Sequence, residues 1–369
     1  MLRSRLLRVA FGLCIGALVG IDAAHASDAV QTTVPEQAAD FIAHDFHFSD
    51  GTILPEVRIH YVTIGTPRRD AQGRIDNAVL MMHGTTATGQ EFLTPPMRRE
   101  LYAPGQPLDA QRYFVVIPDG LGRGGSSKPS DGLRTHFPHY GYNDVVEANH
   151  QLLTDGLHIT HLRLVLGTSM GGMQTWIWGE RYPDMADALM PIVSQPVAIA
   201  GRNWLWRQMV IGAIRNDPDW HNGDYTTEPT QWLRVMPIFA VLTGNPARLQ
   251  TQAPDREAAT DLYGSLVEQA KKNDANDVLY WFVSSWDYNP APRLGEIRAQ
   301  VLAVNFDDDL LNAADLGVMQ RLMPLVPHGR YVEVPETQHS YGHQTQTHPE
   351  VWKPYLSELL GEHSGNKIE

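Results

Sequence analysis

Gly167-Thr168-Ser169-Met170-Gly171 stands between an apolar run at 162–166 and a stretch of helical spacing at 171–182 that stops at Pro183. A serine in G-x-S-x-G between a strand and a helix lies on a sharp turn, and Gly is needed two residues to either side because a Cβ would clash there. Its hydroxyl projects above the sheet edge. The helix that follows aims its N-terminal N–H groups at the same place, where they favour an oxyanion. A serine hydroxyl is a poor nucleophile at neutral pH and needs a base and an orienting acid. With this turn the partners follow in chain order Ser, Asp, His. Asp307, Asp308 and Asp309 come after the run 301–306, and His339 and His343 after 331–334. The order fits, and it leaves three candidate acids and two candidate bases. A second oxyanion donor belongs on a loop after an earlier strand. Met82-His83-Gly84-Thr85-Thr86 is such a loop, with the Thr85 N–H expected beside that of Met170. The His pair at four-residue spacing lacks the H-E-x-x-H pattern, so no metal site is expected. No cofactor is expected either.

These residues need a sheet to position them. Strand signals at 57–64, 78–82, 113–117, 162–166 and 188–193 alternate with helical stretches at 145–153 and 171–182. That alternation predicts a mostly parallel central sheet flanked by helices, an α/β class. It breaks at 195–296, which has no clean strand and carries Trp204, Trp206, Trp220, Trp232, Trp281 and Trp286, six of the nine Trp. Strands resume at 301–306 and 331–334, with helices at 315–323 and 349–360. The simplest organisation is a core in two parts, 27–194 and 297–369, with a mostly helical insertion at 195–296. The insertion is either a small domain with its own core or a roof over a pocket.

The chain has 369 residues, 43% hydrophobic and 19% charged, which excludes disorder, collagen and coiled coil. Its formal charge of −13 repels phosphate backbones and anionic lipid, so no nucleic-acid partner is expected. Arg3, Arg5 and Arg8 precede an apolar run at 9–21, and Ala24-His25-Ala26 follows. That is the layout of a cleavable signal peptide over 1–26, and the run is too short to span a bilayer. The expectation is a secreted or periplasmic protein without a membrane anchor after cleavage. Cys14, the only cysteine, lies in that leader, so no disulfide framework is expected.

From Gly167 through Gly171-Gly172-Met173-Gln174 the sequence resembles the homoserine O-acetyltransferase family of α/β-hydrolases. The resemblance continues at 114–119 with Gly120-Leu121-Gly122, at Asp217-Pro218-Asp219-Trp220 with Asn222-Gly223-Asp224-Tyr225, at 309–315 and at Tyr341-Gly342-His343. It implies the α/β-hydrolase fold with a helical lid inserted before the strand that carries the catalytic Asp. It selects Ser169, Asp309 and His343 as the triad and leaves Asp307, Asp308 and His339 as neighbours. A homodimer is one assembly it implies. One departure matters. Where the family has a lid Arg that binds the homoserine carboxylate, this chain has Ile211, and Arg207 and Arg215 each lie four positions away. Loss of a bidentate, charge-assisted contact disfavours a zwitterionic acceptor. Acetyl-CoA and homoserine are also cytoplasmic, against an exported enzyme. The expected function is therefore hydrolysis of a small carboxylic ester or related acyl substrate through an acyl-enzyme. The alternative is O-acyl transfer from an acyl-CoA. A non-catalytic binding module would have a damaged triad, and none of the three residues is missing.

Overall fold

A computed structural model describes residues 35–361, which belong to one compact unit. The leader at 1–26 and Cys14 lie outside the described residues.

Eight strands form one sheet: β1 (Glu36–His47), β2 (Ile53–Ile64), β3 (Ala78–Met82), β4 (Phe114–Pro118), β5 (Leu164–Thr168), β6 (Ala188–Ile192), β7 (Gln300–Phe306) and β8 (Gly329–Val334). Their order is β1-β2-β4-β3-β5-β6-β7-β8. The β1–β2 and β2–β4 pairs are antiparallel and the rest parallel. Strands β3 to β6 are short, apolar and buried at every position, as strands covered on both faces must be. The period of two divides their side chains between two cores. Leu80, Val116 and Val165 face one apolar cluster, while Val79, Met81, Val115 and Leu164 face the other.

Helices α1 (Tyr142–Gln151) and α2 (Met170–Arg181) cover the first face, contributing Val145, Val146, Trp176 and Ile177. Between β6 and β7 the chain forms α3 (Gly201–Arg215), α4 (Pro237–Thr243), α5 (Pro246–Gln252), α6 (Arg256–Ala270) and α7 (Ala275–Val283). A short α8 (Val318–Leu322) follows β7, and α9 (Pro349–Leu359) covers the second face with Trp352 and Leu356. The inserted helices share a third cluster, built on Trp206, Val210, Ile214, Trp220, Trp232, Val278 and Phe282. Four of the six Trp of this segment therefore pack inside it, and Trp286 is exposed.

Two differences from the sequence reading have local causes. Strand β1 is not among the expected strands, because as an edge strand it buries fully only Ala43 and Phe46 and keeps a mostly polar face. The helix expected at 315–323 is broken. Gly317 takes a left-handed conformation (φ 60°), and Pro324 confines the following residues to a 3₁₀ turn.

Candidate active site

Ser169 closes the β5–α2 turn at φ 53° and ψ −112°, a region that L residues rarely adopt. The turn is tight because the neighbouring glycines let backbones touch. A Cβ on Gly171 would lie 1.8 Å from the Met82 carbonyl oxygen, and one on Gly167 would lie 2.1 Å from the Gly171 carbonyl oxygen. The Ser169 N–H donates to the Ile192 carbonyl at 2.9 Å, which ties the turn to the end of β6.

His343 and Asp309 converge on that serine from the ends of β8 and β7. His343 Nε2 lies 2.8 Å from Ser169 Oγ, and its Nδ1 lies 2.8 Å from Asp309 Oδ2. The Asp309 carboxylate also accepts from the Leu311 N–H at 2.8 Å and from Asn312 Nδ2 at 2.8 Å. Burial pushes this carboxyl up, but the charge of His343 and these hydrogen bonds outweigh it, so Asp309 is held below the usual carboxylate range. An ionised Asp309 fixes the tautomer in which Nδ1 carries the proton and Nε2 faces the serine hydroxyl. The other candidates stand apart. Asp307 and His339 are exposed. Asp308 accepts from the Gly342 N–H and from Asn245, and so anchors the loop that carries His343.

The loop after β3 is organised by a residue read from sequence only as part of a His-Gly start. His83 is buried, its Nδ1 is 2.8 Å from the Gly84 carbonyl, and its Nε2 accepts the Gly120 N–H at 2.9 Å. Burial pushes the imidazole down to about 4, so it is neutral with the proton on Nδ1. A trans peptide points its N–H opposite its C=O. Holding the Gly84 carbonyl therefore turns the Thr85 N–H away from His83. The same peptide lies beside the nucleophile, since a Cβ on Gly84 would be 3.6 Å from Ser169 Cβ. Among the described residues, neither the Thr85 N–H nor the Met170 N–H at the start of α2 has an acceptor. Two free donors next to an oriented serine can stabilise an oxyanion.

A cleft of about 520 Å³ opens one helical turn from Ser169, lined by Met173, Gln195, Ile199, Leu311 and Leu316 among others. On α3, Ile211 is buried where the sequence lacks the family's Arg. Arg207, one turn earlier on the same face, is buried as well. It donates to Asn203, approaches Ser285 and stacks against Phe282, with no carboxylate at ion-pair distance among the described residues. Arg215 is exposed. Sequence spacing gave no sign that Arg207 is buried. No group of three or more His, Cys, Asp or Glu among the described residues could hold a metal, and no described helix is long and apolar enough to cross a membrane.

Residues 79–352 match the model of the alpha/beta hydrolase family, and the chain belongs to that family. Its homologues include acyltransferases. It is 29% identical over 292 residues to a probable acyltransferase of Methanothermobacter thermautotrophicus, covering 78% of this chain and 88% of that protein. It is 36% identical over 194 residues to the homoserine O-acetyltransferase of Thermobifida fusca, a match that spans about half of each protein (48% and 49%). Among solved structures it is similar to esterase E22, at TM-score 0.75 and 18% identity over 88% of this chain and 100% of that one. The chain is an alpha/beta hydrolase with acyltransferase relatives, and it shares its fold with an esterase.

Proposed function

We propose that this protein is an exported serine hydrolase that cleaves a small carboxylic ester through an acyl-enzyme on Ser169. The observation that carries this reading is the unbroken hydrogen-bond chain Ser169–His343–Asp309, with both links at 2.8 Å. His343 Nε2 takes the proton from Ser169 Oγ as the oxygen attacks the ester carbonyl carbon. Negative charge gathers on the carbonyl oxygen, where the N–H groups of Thr85 and Met170 receive it. Each such donor contributes roughly a hundredfold to a thousandfold in rate. Asp309 holds Nδ1–H and stabilises the imidazolium. His343 then returns the proton to the departing alcohol, and the acyl group stays on Ser169. Water, deprotonated by the same nitrogen, attacks the acyl carbon, and His343 returns that proton to Ser169 Oγ as the carboxylic acid leaves. The 1–26 leader is the basis for placing the enzyme in the periplasm or outside the cell, and Ile211 is the basis for neutral ester substrates.

The second reading is acyl transfer, in which an alcohol held under the inserted helices replaces water. The buried Arg207, one turn from Ile211 and without a carboxylate partner, is the observation that favours it. A single assay separates the two. Release of p-nitrophenol from a p-nitrophenyl ester is followed with and without acyl-CoA, homoserine and simple alcohols. Hydrolysis predicts steady turnover that acceptors leave unchanged and no acylation of homoserine. Efficient acetylation of homoserine from acetyl-CoA would overturn the hydrolase reading in favour of transfer.

A further inference from the structure

The mechanism above leaves unused one carboxylate next to the triad, that of Glu91. This residue lies on the 3₁₀ turn Gly89–Leu93, just past the oxyanion loop, with Thr88 capping the turn. Its Oε1 accepts the Thr168 hydroxyl at 2.6 Å. Its Oε2 would be 3.6 Å from a Cβ on Gly84, at the spot that is also 3.6 Å from Ser169 Cβ and 3.8 Å from Gln346 Nε2. That places the carboxylate against the Gly84 backbone, and the charge of His343 favours its ionised form. One side chain therefore bonds the residue before the candidate nucleophile Ser169 and packs against the residue before Thr85.

We propose that Glu91 is a positioning residue that locks the oxyanion loop to the nucleophile strand and supplies a second anion for the imidazolium formed on His343. This rests on Ser169 acting as nucleophile. A structural polar link would need only the hydrogen bonds, and a glutamine could make them. The charge is a further feature, because a half-buried anion beside the reacting groups is screened less than one in open water. Burial raises the Glu91 carboxyl above its ordinary range, and the Thr168 bond and the charge of His343 offset this only in part. The other titratable groups around this place are Asp309 on His343 Nδ1, and His83, which is neutral and faces Asp119 and Arg123. Asp119 is itself tied to the Gly89 and Gly125 N–H groups. Asp309 thus holds Nδ1, and Glu91 lies near the serine that holds Nε2.

The test uses the mature chain and a fluorophosphonate probe, whose rate of phosphonylating Ser169 needs no knowledge of the natural substrate. The rate is followed from acidic to alkaline pH for the wild type, Glu91→Gln, Glu91→Asp and Thr168→Val, with thermal unfolding checked for each. In Glu91→Gln, loss of the anion destabilises the imidazolium. The acidic limb of the profile should move down by about half a pH unit, and the plateau rate should fall roughly tenfold. Glu91→Asp should return the limb to the wild-type position. Thr168→Val should move the limb the same way, to lower pH, because a carboxylate that has lost a donor keeps its proton longer and leaves the imidazolium without its second anion. Should Glu91→Gln fail to fold, the downward shift in Thr168→Val decides the matter alone. An unmoved limb in the folded variants, whatever the plateau rate, overturns the proposal and leaves Glu91 a structural link. Failure of the probe to label wild-type Ser169 overturns the nucleophile reading together with it.

Discussion

Acidification offers a sharp test of how the oxyanion loop is held. In the fold His83 is neutral, with its proton-binding affinity lowered by burial to about 4 from the ordinary 6.5. The unfolded chain takes up this proton first as pH falls. Between the two values the unfolded state binds more protons than the folded one, so stability is present above about 6.5 and is lost progressively down to about 4. The full loss from this one group is about 3 kcal/mol, and about 2 kcal/mol of it falls between about pH 7 and about pH 5. The perturbation is His83→Asn, whose side-chain amide stands where Nδ1 stood and can still donate to the Gly84 carbonyl, but does not titrate. Urea unfolding at the two pH values is measured for both proteins. The variant is expected to be less stable at neutral pH, because the buried Gly120 N–H loses its acceptor. Its loss of stability on acidification should nevertheless be smaller than that of the wild type by about 2 kcal/mol. This difference of differences is independent of the neutral offset. Equal pH dependence in the two proteins would refute a buried neutral His83, and with it the orientation argued for the Thr85 N–H.

Three further outcomes follow from the geometry. Ser169→Ala should lose ester turnover by on the order of a thousandfold or more while its thermal unfolding stays near that of the wild type, since the hydroxyl is a reacting group and not a packing element. His343→Ala should abolish turnover and His339→Ala should retain most of it, because His343 bridges Ser169 and Asp309 whereas His339 is exposed; the reverse result in a p-nitrophenyl ester assay would show that the other histidine is the base. Gly171→Ala should fail to give soluble folded protein or should unfold several degrees lower, because its methyl would stand 1.8 Å from the Met82 carbonyl oxygen; an unchanged melting curve would mean that α2 can shift off β3 without penalty.

Much of the site could be read from the sequence because its parts sit where chain geometry is most constrained. Ser169 is marked by the glycines that its turn requires, and β3 and β5 by short apolar runs that only a doubly covered sheet accommodates. The resemblance then narrowed three aspartates to Asp309 and two histidines to His343, and the hydrogen bonds single out the same pair. Residues that act through long-range partners were not legible in this way. Glu91 meets Thr168 across 77 positions, and His83 meets Gly120 across 37. No local periodicity records such meetings. Asn312, which steadies Asp309, follows it closely in sequence, but an asparagine in a polar loop has many ordinary uses. Strand β1 was hidden for a different reason. Its pairing is almost wholly with β2, so its side chains carry little of the burial pattern by which strands are recognised.

The choice left open for 195–296, a separate small domain or a part of the catalytic architecture, turns on what its helices touch. They do own an apolar cluster, as an independent domain would. At the start of α5, however, Asn245 donates to Asp308 at 2.8 Å and to Glu336 at 2.9 Å, across the loops that follow β7 and β8. Arg248 donates to the Ser340 and Gln338 carbonyls and stacks on Tyr341 with its guanidinium carbon 4.1 Å from the ring centre. Gly342 is left-handed and packs so closely that a Cβ would meet the backbone of Thr243, Gly244 and Asn245 at 2.9 to 3.0 Å. These contacts hold the three residues before His343 and the aspartate beside Asp309. Trp281 on α7 reaches down in the same manner, donating Nε1 to the Gly122 carbonyl at 3.0 Å in the loop after β4. The insertion thus holds the loop that carries His343. That argues for a single unit, in which a change on α5 would be felt first as a misplaced His343 and only second as a loosened helical cluster.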